Sequence, residues 1–319
     1  LERCAAGLRK AGARYGARRV ARLQKCVAAT AKCVQRKPGD QACLDRAGAT
    51  CTKERTAFAA DEALLMATIG KSCAAVAIAD LRSAAGLGFA GEDAPCLAEG
   101  GSAPASSADL AACVQRGHAC RADQLVVFEA PRAVELLTLV GQDTSTLPCL
   151  ATGADGGGDG VGDATRAQAL ERCGKALQGA AATFARGTTK AVGKCLRAVE
   201  GCLYEDGVAA PPCLDGAKAV CAKAIATLTR PGNGIEAKLV TAVTAGCGPA
   251  VFADVLGATG LGYGALASTC SGLGVAPLDS SAALATCVVR QHECRVEQWL
   301  ERETPRLREL IELGDTPLP

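Results

Sequence analysis

From Leu1 to Arg36 charged and apolar residues interleave without a proline, and Ala, Leu, Arg and Lys, all good helix formers, predominate. Pro38-Gly39-Asp40 then breaks the run, and a second helical stretch starts near Gln41. Cys26 and Cys33 are seven positions apart, about 20° around a helical wheel, so they share a face. The second stretch is expected to break near Asp61, a plausible N-cap followed by Glu62. A helix is expected over 74–85, stopped by Gly86 and Gly88, and 99–107 reads as a Gly/Ser/Pro loop. Ser107 or Asp109 then caps a helix carrying Cys113 and Cys120, and Pro131 and Pro305 interrupt the next helical runs. The fold class expected is all-α.

The pattern occurs twice. Leu1-Glu2-Arg3-Cys4 returns as Leu170-Glu171-Arg172-Cys173, and Gly86-Leu87-Gly88-Phe89 as Gly260-Leu261-Gly262-Tyr263. Cys113, His118, Cys120, Arg121 and Gln124 return as Cys287, His292, Cys294, Arg295 and Gln298. The offset is 169 at the start and 174 at the end, as between Cys4 and Cys173 and between Cys113 and Cys287. Two tandem copies follow, 1–150 and 169–319, joined by a Gly/Asp-rich linker at 151–168. Cys149 alone lacks a counterpart, and the chain stops at Pro319 just short of where one would fall. The expectation is a processed chain or a piece of a longer array.

Nineteen cysteines without a Cys-x-x-Cys point to disulfides in an oxidising compartment rather than to a metal or redox role. Two antiparallel helices around one turn pair residues whose numbers add to a constant. That number is 76 for Cys33 with Cys43, 77 for Cys26 with Cys51 and 77 for Cys4 with Cys73. In the second copy it is 415 for Cys202 with Cys213 and 416 for Cys195 with Cys221. It rises to 420 for Cys173 with Cys247, where Pro231-Gly232-Asn233-Gly234 is inserted. Each copy is therefore expected to open with a helical hairpin carrying three disulfide rungs. The same logic favours Cys96–Cys113, Cys120–Cys149 and Cys270–Cys287 over Cys96–Cys120 with Cys113–Cys149, and leaves Cys294 unpaired. Aromatics are only 3% of the chain, so the core is thin and aliphatic and depends on such staples.

Charge and motifs exclude more than they suggest. Thirty-five basic and 33 acidic residues give no electrostatic reason to expect nucleic acid. The poorly charged stretch from Gly248 to Ser268 contains Asp254 and many glycines, so it reads as a buried segment rather than a transmembrane one. Asp155, Asp159 and Asp163 in the linker resemble a thrombospondin type 3 calcium loop around Asp-Gly-Val-Gly-Asp. Ligands near Gly157 and a closing acid near Arg166 are missing, so a plain flexible linker is the favoured expectation and calcium the other. His118 and His292 lie off the cysteine face, which favours surface or packing histidines over metal ligands. Glu129, Arg132 and Glu135, matched by Glu303, Arg306 and Glu309, read as charge lattices on solvated helix faces. Gly70-Lys71-Ser72 lacks the earlier glycine and strand of a phosphate loop, and no Gly-x-Ser-x-Gly is present.

The spacing Cys4, Lys25-Cys26, Cys33, repeated as Cys173, Lys194-Cys195, Cys202, resembles a broad group of cysteine-rich, Ala/Lys-rich secreted bacterial helical-repeat proteins. That resemblance brings no activity with it. The functional expectation is a non-enzymatic extracellular structural protein, a self-assembling subunit of a filament, appendage or surface layer. The alternative is a secreted binding module, either an apolar-ligand carrier or a calcium-dependent adhesin. An enzyme would have to rest on the thiol of Cys294.

Overall fold

A computed structural model describes residues 1–147, 149–151, 153–204, 211–316 and 318. Among the described residues every regular element is a helix. In the first half these are α1 (Glu2–Arg36), α2 (Gln41–Thr56), α3 (Phe58–Cys73), α4 (Ile78–Arg82), α5 (Asp93–Ala98), α6 (Ser107–Glu129) and α7 (Ala133–Leu139). The second half follows with α8 (Ala164–Tyr204), α9 (Pro211–Thr229), α10 (Ile235–Cys247), α11 (Phe252–Leu256), α12 (Ala267–Gly272), α13 (Ser281–Glu303) and α14 (Leu307–Leu313).

Among the described residues nine disulfides hold these helices. Cys33–Cys43 and Cys26–Cys51 tie α1 to α2, and Cys4–Cys73 ties its start to the end of α3. Cys202–Cys213 and Cys195–Cys221 tie α8 to α9, and Cys173–Cys247 ties it to α10. Cys96–Cys113, Cys120–Cys149 and Cys270–Cys287 complete the set, and Cys294 is a free, exposed thiol.

Local boundaries differ from expectation in three places. The second helical stretch breaks at Ala57, and Asp61 lies buried inside the first turn of α3. Its carboxylate is held by Arg18 at 2.7 Å and Arg22 at 2.6 Å, so it anchors α3 to α1 and does not cap a helix. The expected helix over 74–85 shortens to α4, because extended backbone at Ala77 and Ser83 terminates it on both sides. Ser106, not Ser107 or Asp109, caps α6: its backbone is extended and its side chain accepts the Asp109 N–H. Ser280 does the same for α13.

The long helices α1, α6, α8 and α13 form the centre, braced by α2 and α3 on one side and by α9 and α10 on the other. α1 packs against α8 as well as against α2 and α3, and α6 packs against α13. Trp299 of α13 is buried in the cluster of Val20, Leu23, Val27 and Leu125 from the first half. The segment from Gly248 to Ser268 folds into short helical turns with Val255 and Tyr263 buried. No helix among the described residues is long and apolar enough to cross a membrane.

Close approach of α13 to α1 depends on small residues. A Cβ on Gly16 would overlap the Trp299 ring, and one on Gly12 would overlap the side chains of Glu303 and His118. Gly16→Ala is therefore expected to destabilise by ~1–3 kcal/mol, the usual cost of overpacking. At Gly70 a Cβ would meet nothing within 4 Å. Gly70→Ala should instead stabilise by up to ~1 kcal/mol through helix propensity. Chemical denaturation of the two variants checks the opposite signs.

Candidate functional site

α1 and α8 run antiparallel, with Ala6 to Ala21 facing Ala182 to Arg197 across a groove of about 740 Å³. Its walls present Ala13, Ala17, Ala182 and Ala185, and Val20, Leu125, Trp299 and Leu300 line its depth. Small side chains on both helices leave the space open, while the braces α2, α3, α9 and α10 keep the walls apart.

The rim is cationic. Lys10, Arg14 and Arg18 follow one another at four-residue spacing on α1, and Arg186, Lys190 and Arg197 stand opposite on α8. Arg18 is engaged by Asp61. Lys10, Arg14, Arg186, Lys190 and Arg197 are exposed, and none has a carboxylate within 4 Å among the described residues. Like charges four apart on a helix destabilise it by a few tenths of a kcal/mol per pair. In a chain with almost equal numbers of basic and acidic residues, this sorting concentrates positive potential along one cleft.

Beneath the groove lie two buried His–Glu pairs that cross between the halves. His118 Nε2 meets Glu303 Oε1 at 2.5 Å, and His292 Nε2 meets Glu129 Oε1 at 3.0 Å. Partners exchange at a common offset of 174: His292 stands to His118 as Glu303 stands to Glu129. His292 Nδ1 bonds the Val288 carbonyl at 2.8 Å. Burial, then Arg302, pushes His118 well below the ordinary imidazole range. Burial pushes Glu303 well above the ordinary carboxyl range, against the pull of Arg9. Both shifts favour the uncharged form of each partner.

The histidines are packing groups, as one half of the expectation had it, but neither is at the surface: both are fully buried. The solvated charge lattice is corrected more strongly. Glu129 and Glu303 are 2% and 1% exposed and serve the histidines. Arg132 is 3% exposed. It grips Glu135 at 2.7 and 2.8 Å and donates to the Thr259, Gly260 and Asp159 carbonyls. Arg306 repeats this with Glu309 and the Ala85 and Gly86 carbonyls, at 3.3 and 2.8 Å, on a more open surface.

The linker is held rather than loose. Glu135 accepts the Gly156 and Gly158 N–H groups at 2.9 and 2.8 Å, and Gln35 accepts that of Val161 at 3.1 Å. Its three aspartates are not gathered. Asp155 accepts from the Gly157 N–H, Asp163 from the Arg166 N–H at the start of α8, and Asp159 contributes its backbone carbonyl to Arg132. Among the described residues no group of three or more His, Cys, Asp and Glu side chains is placed to hold a metal ion. The Cys294 thiol stands exposed on α13 with Gln298 Nε2 3.7 Å from its sulfur.

No protein-family model matches the chain, and neither a curated protein nor a solved structure does. The groove was missed in the sequence because it needs two stripes 170 residues apart to face each other. Its one local signal was the run Lys10, Arg14, Arg18 on the same face of α1.

Proposed function

We propose that this chain is a non-enzymatic extracellular binding module, built from two tandem copies, that holds an anionic amphiphile between α1 and α8. The carrying observation is the pairing of an apolar Ala/Val/Leu floor with five exposed cations that have no acidic partner among the described residues. A carboxylate or phosphate head would lie on the rim and a hydrocarbon chain on the floor. Polyanions such as nucleic acid fit less well, since stacking platforms are what single-stranded bases require. Trp299, the floor's one aromatic, is only 4% exposed. An oxidising compartment agrees with nine disulfides.

Trp299 is the chain's single tryptophan and reports directly on the groove. Sodium dodecanoate, titrated below its micellar range, is expected to change Trp299 emission saturably. Lys10→Glu/Arg14→Glu/Arg186→Glu/Lys190→Glu should weaken binding by about 100-fold, the loss of two charge-assisted contacts at ~1.5 kcal/mol each. Dodecanol should bind far more weakly than dodecanoate. Equal affinity of the charge-reversed variant, or absence of saturable binding, sinks the reading.

A second reading keeps the chain as a self-assembling repeat subunit of a filament, appendage or surface layer. Its support is the dense cross-linking together with the free Cys294 thiol, which faces outward. Negative-stain microscopy and non-reducing electrophoresis of the native protein test it; dispersed monomers under both would count against it.

A further inference from the structure

The free cations of the groove are sorted along its length. Gln24 of α1 bonds the Gln178 carbonyl of α8, and Arg9 of α1 grips Glu200 of α8. Residues whose numbers add to 202 therefore stand opposite each other at one end, rising to 209 at the other. Arg14 with Lys190 adds to 204 and Lys10 with Arg197 to 207, so these four cations form two facing pairs. On α1 the pairs are four residues apart, one helical turn or ~6 Å. Both lie toward the start of α1. At the other end the groove is lined by Val20, Ala21, Ala182 and Leu125, which carry no charge.

The remaining charges of the lining are already matched. Arg9 is held by Glu200 and Arg18 by Asp61. Glu129, the one carboxylate of the lining, has its oxygens engaged by His292 and Gln24. Arg186 stands at the level of Arg18, between the facing pairs and the uncharged end.

Packing does not demand the two pairs. At the recurrence offset of 169, Lys10 corresponds to Gly179, Arg14 to Thr183, Lys190 to Ala21 and Arg197 to Ala28. The same helices do without cations at every one of these related positions. Four exposed cations gathered within two helical turns repel one another, and one carboxylate head leaves most of that charge uncompensated. A diphosphate brings more charge and more acceptor oxygens, and guanidinium groups bind phosphate oxygens two at a time.

We infer that the amphiphile held in this groove carries a diphosphate head, seated between the Arg14/Lys190 and Lys10/Arg197 pairs, with its hydrocarbon chain running toward Val20 and Leu125. This rests on the reading of the groove as an amphiphile site, and adds the head group and the direction of the ligand. The groove's volume of about 740 Å³ lies within the usual range for small-molecule sites, ~300–1,000 Å³.

The test compares heads on one tail. Farnesol, farnesyl phosphate and farnesyl diphosphate are titrated into the full chain, with Trp299 emission as the readout, and inorganic pyrophosphate is added as a competitor. Trp299 sits beside Gly16, just past the facing pairs. Farnesyl diphosphate is expected to bind about tenfold tighter than farnesyl phosphate, and farnesol the weakest of the three. Pyrophosphate alone should compete at least about 100-fold more weakly than farnesyl diphosphate, since it leaves the apolar floor empty. Arg14→Gln/Lys190→Gln should abolish the advantage of the diphosphate over the monophosphate. Lys194→Gln, which removes an exposed cation of α8 outside the groove, should leave that advantage in place. Both variants alter exposed side chains, so native helicity is expected in each. Equal affinity for the two esters overturns the inference, as does a diphosphate advantage that survives Arg14→Gln/Lys190→Gln. Pyrophosphate competing as well as the whole amphiphile also overturns it and marks a site for the free anion. Dodecanoate separates the two proposals. Saturable dodecanoate binding without a diphosphate advantage leaves the groove reading standing and removes this one, whereas no saturable binding of any amphiphile removes both.

Discussion

Complete reduction is expected to unfold the chain at room temperature. Cross-links stabilise mainly by restricting the unfolded ensemble, at ~2–4 kcal/mol each, and nine are present. Even at a quarter of that value the set approaches the whole stability of an ordinary domain, ~5–15 kcal/mol. Loop length ranks them. Cys4–Cys73 and Cys173–Cys247 close separations of 69 and 74 residues, against 10 for Cys33–Cys43. The chain-entropy relation gives ~4.4 kcal/mol for the long loops and ~2.7 kcal/mol for the short one. Cys4→Ala/Cys73→Ala should therefore lower the melting temperature more than Cys33→Ala/Cys43→Ala. Circular dichroism at 222 nm, before and after reduction and alkylation, reads the first result, and melts of the two double variants read the second. A reduced chain that keeps its helicity and a cooperative melt would show that the Ala-rich core suffices without staples.

Antiparallel packing of helices imposes a linear rule on the cysteines they carry. Each residue on α1 faces a position on α2 or α3 whose number falls as its own rises, which proposes partners for Cys4, Cys26 and Cys33, whereas Cys96, Cys113, Cys120 and Cys149 lie outside that rule and their pairing stayed open. Where contacts join the two halves no such rule exists. His118 and Glu303 are 185 positions apart, and nothing local to either marks the other. The clue available was indirect: both histidines and both glutamates return at one offset, as buried groups with a shared role would. Asp61 misled for a related reason. Its neighbours suit a helix start, but the arginines that claim it lie a helix away, at 18 and 22. The linker looked flexible because glycine count describes the unfolded chain. Arg132, Glu135 and Gln35, which pin it, belong to other elements.

The buried His118–Glu303 pair is expected to give stability a plateau between pH 4.5 and 6.5 with losses on both sides. In the folded chain the pair holds one proton over a wide range, since Glu303 is raised well above 4.5 and His118 lowered well below 6.5. The count is the same whichever partner carries that proton. Unfolded, the two groups hold two protons below 4.5, one between 4.5 and 6.5, and none above 6.5. Below 4.5 the unfolded chain binds the extra proton, so stability falls as pH falls. Above 6.5 the folded chain binds it, so stability falls as pH rises. Each slope is about 1.4 kcal/mol per pH unit while the folded pair keeps its single proton. Burial also raises the carboxyls of Glu200 and Asp123, and these titrate in any variant that retains them. The comparison is therefore with His118→Gln/Glu303→Gln, which removes both titrations and leaves two amides able to hydrogen-bond. Denaturation of both proteins at pH 3.5, 5.5 and 8.5 gives the difference curve. A maximum at 5.5 is expected. A difference that rises or falls steadily across the three values would mean that the folded pair does not hold one proton across that range.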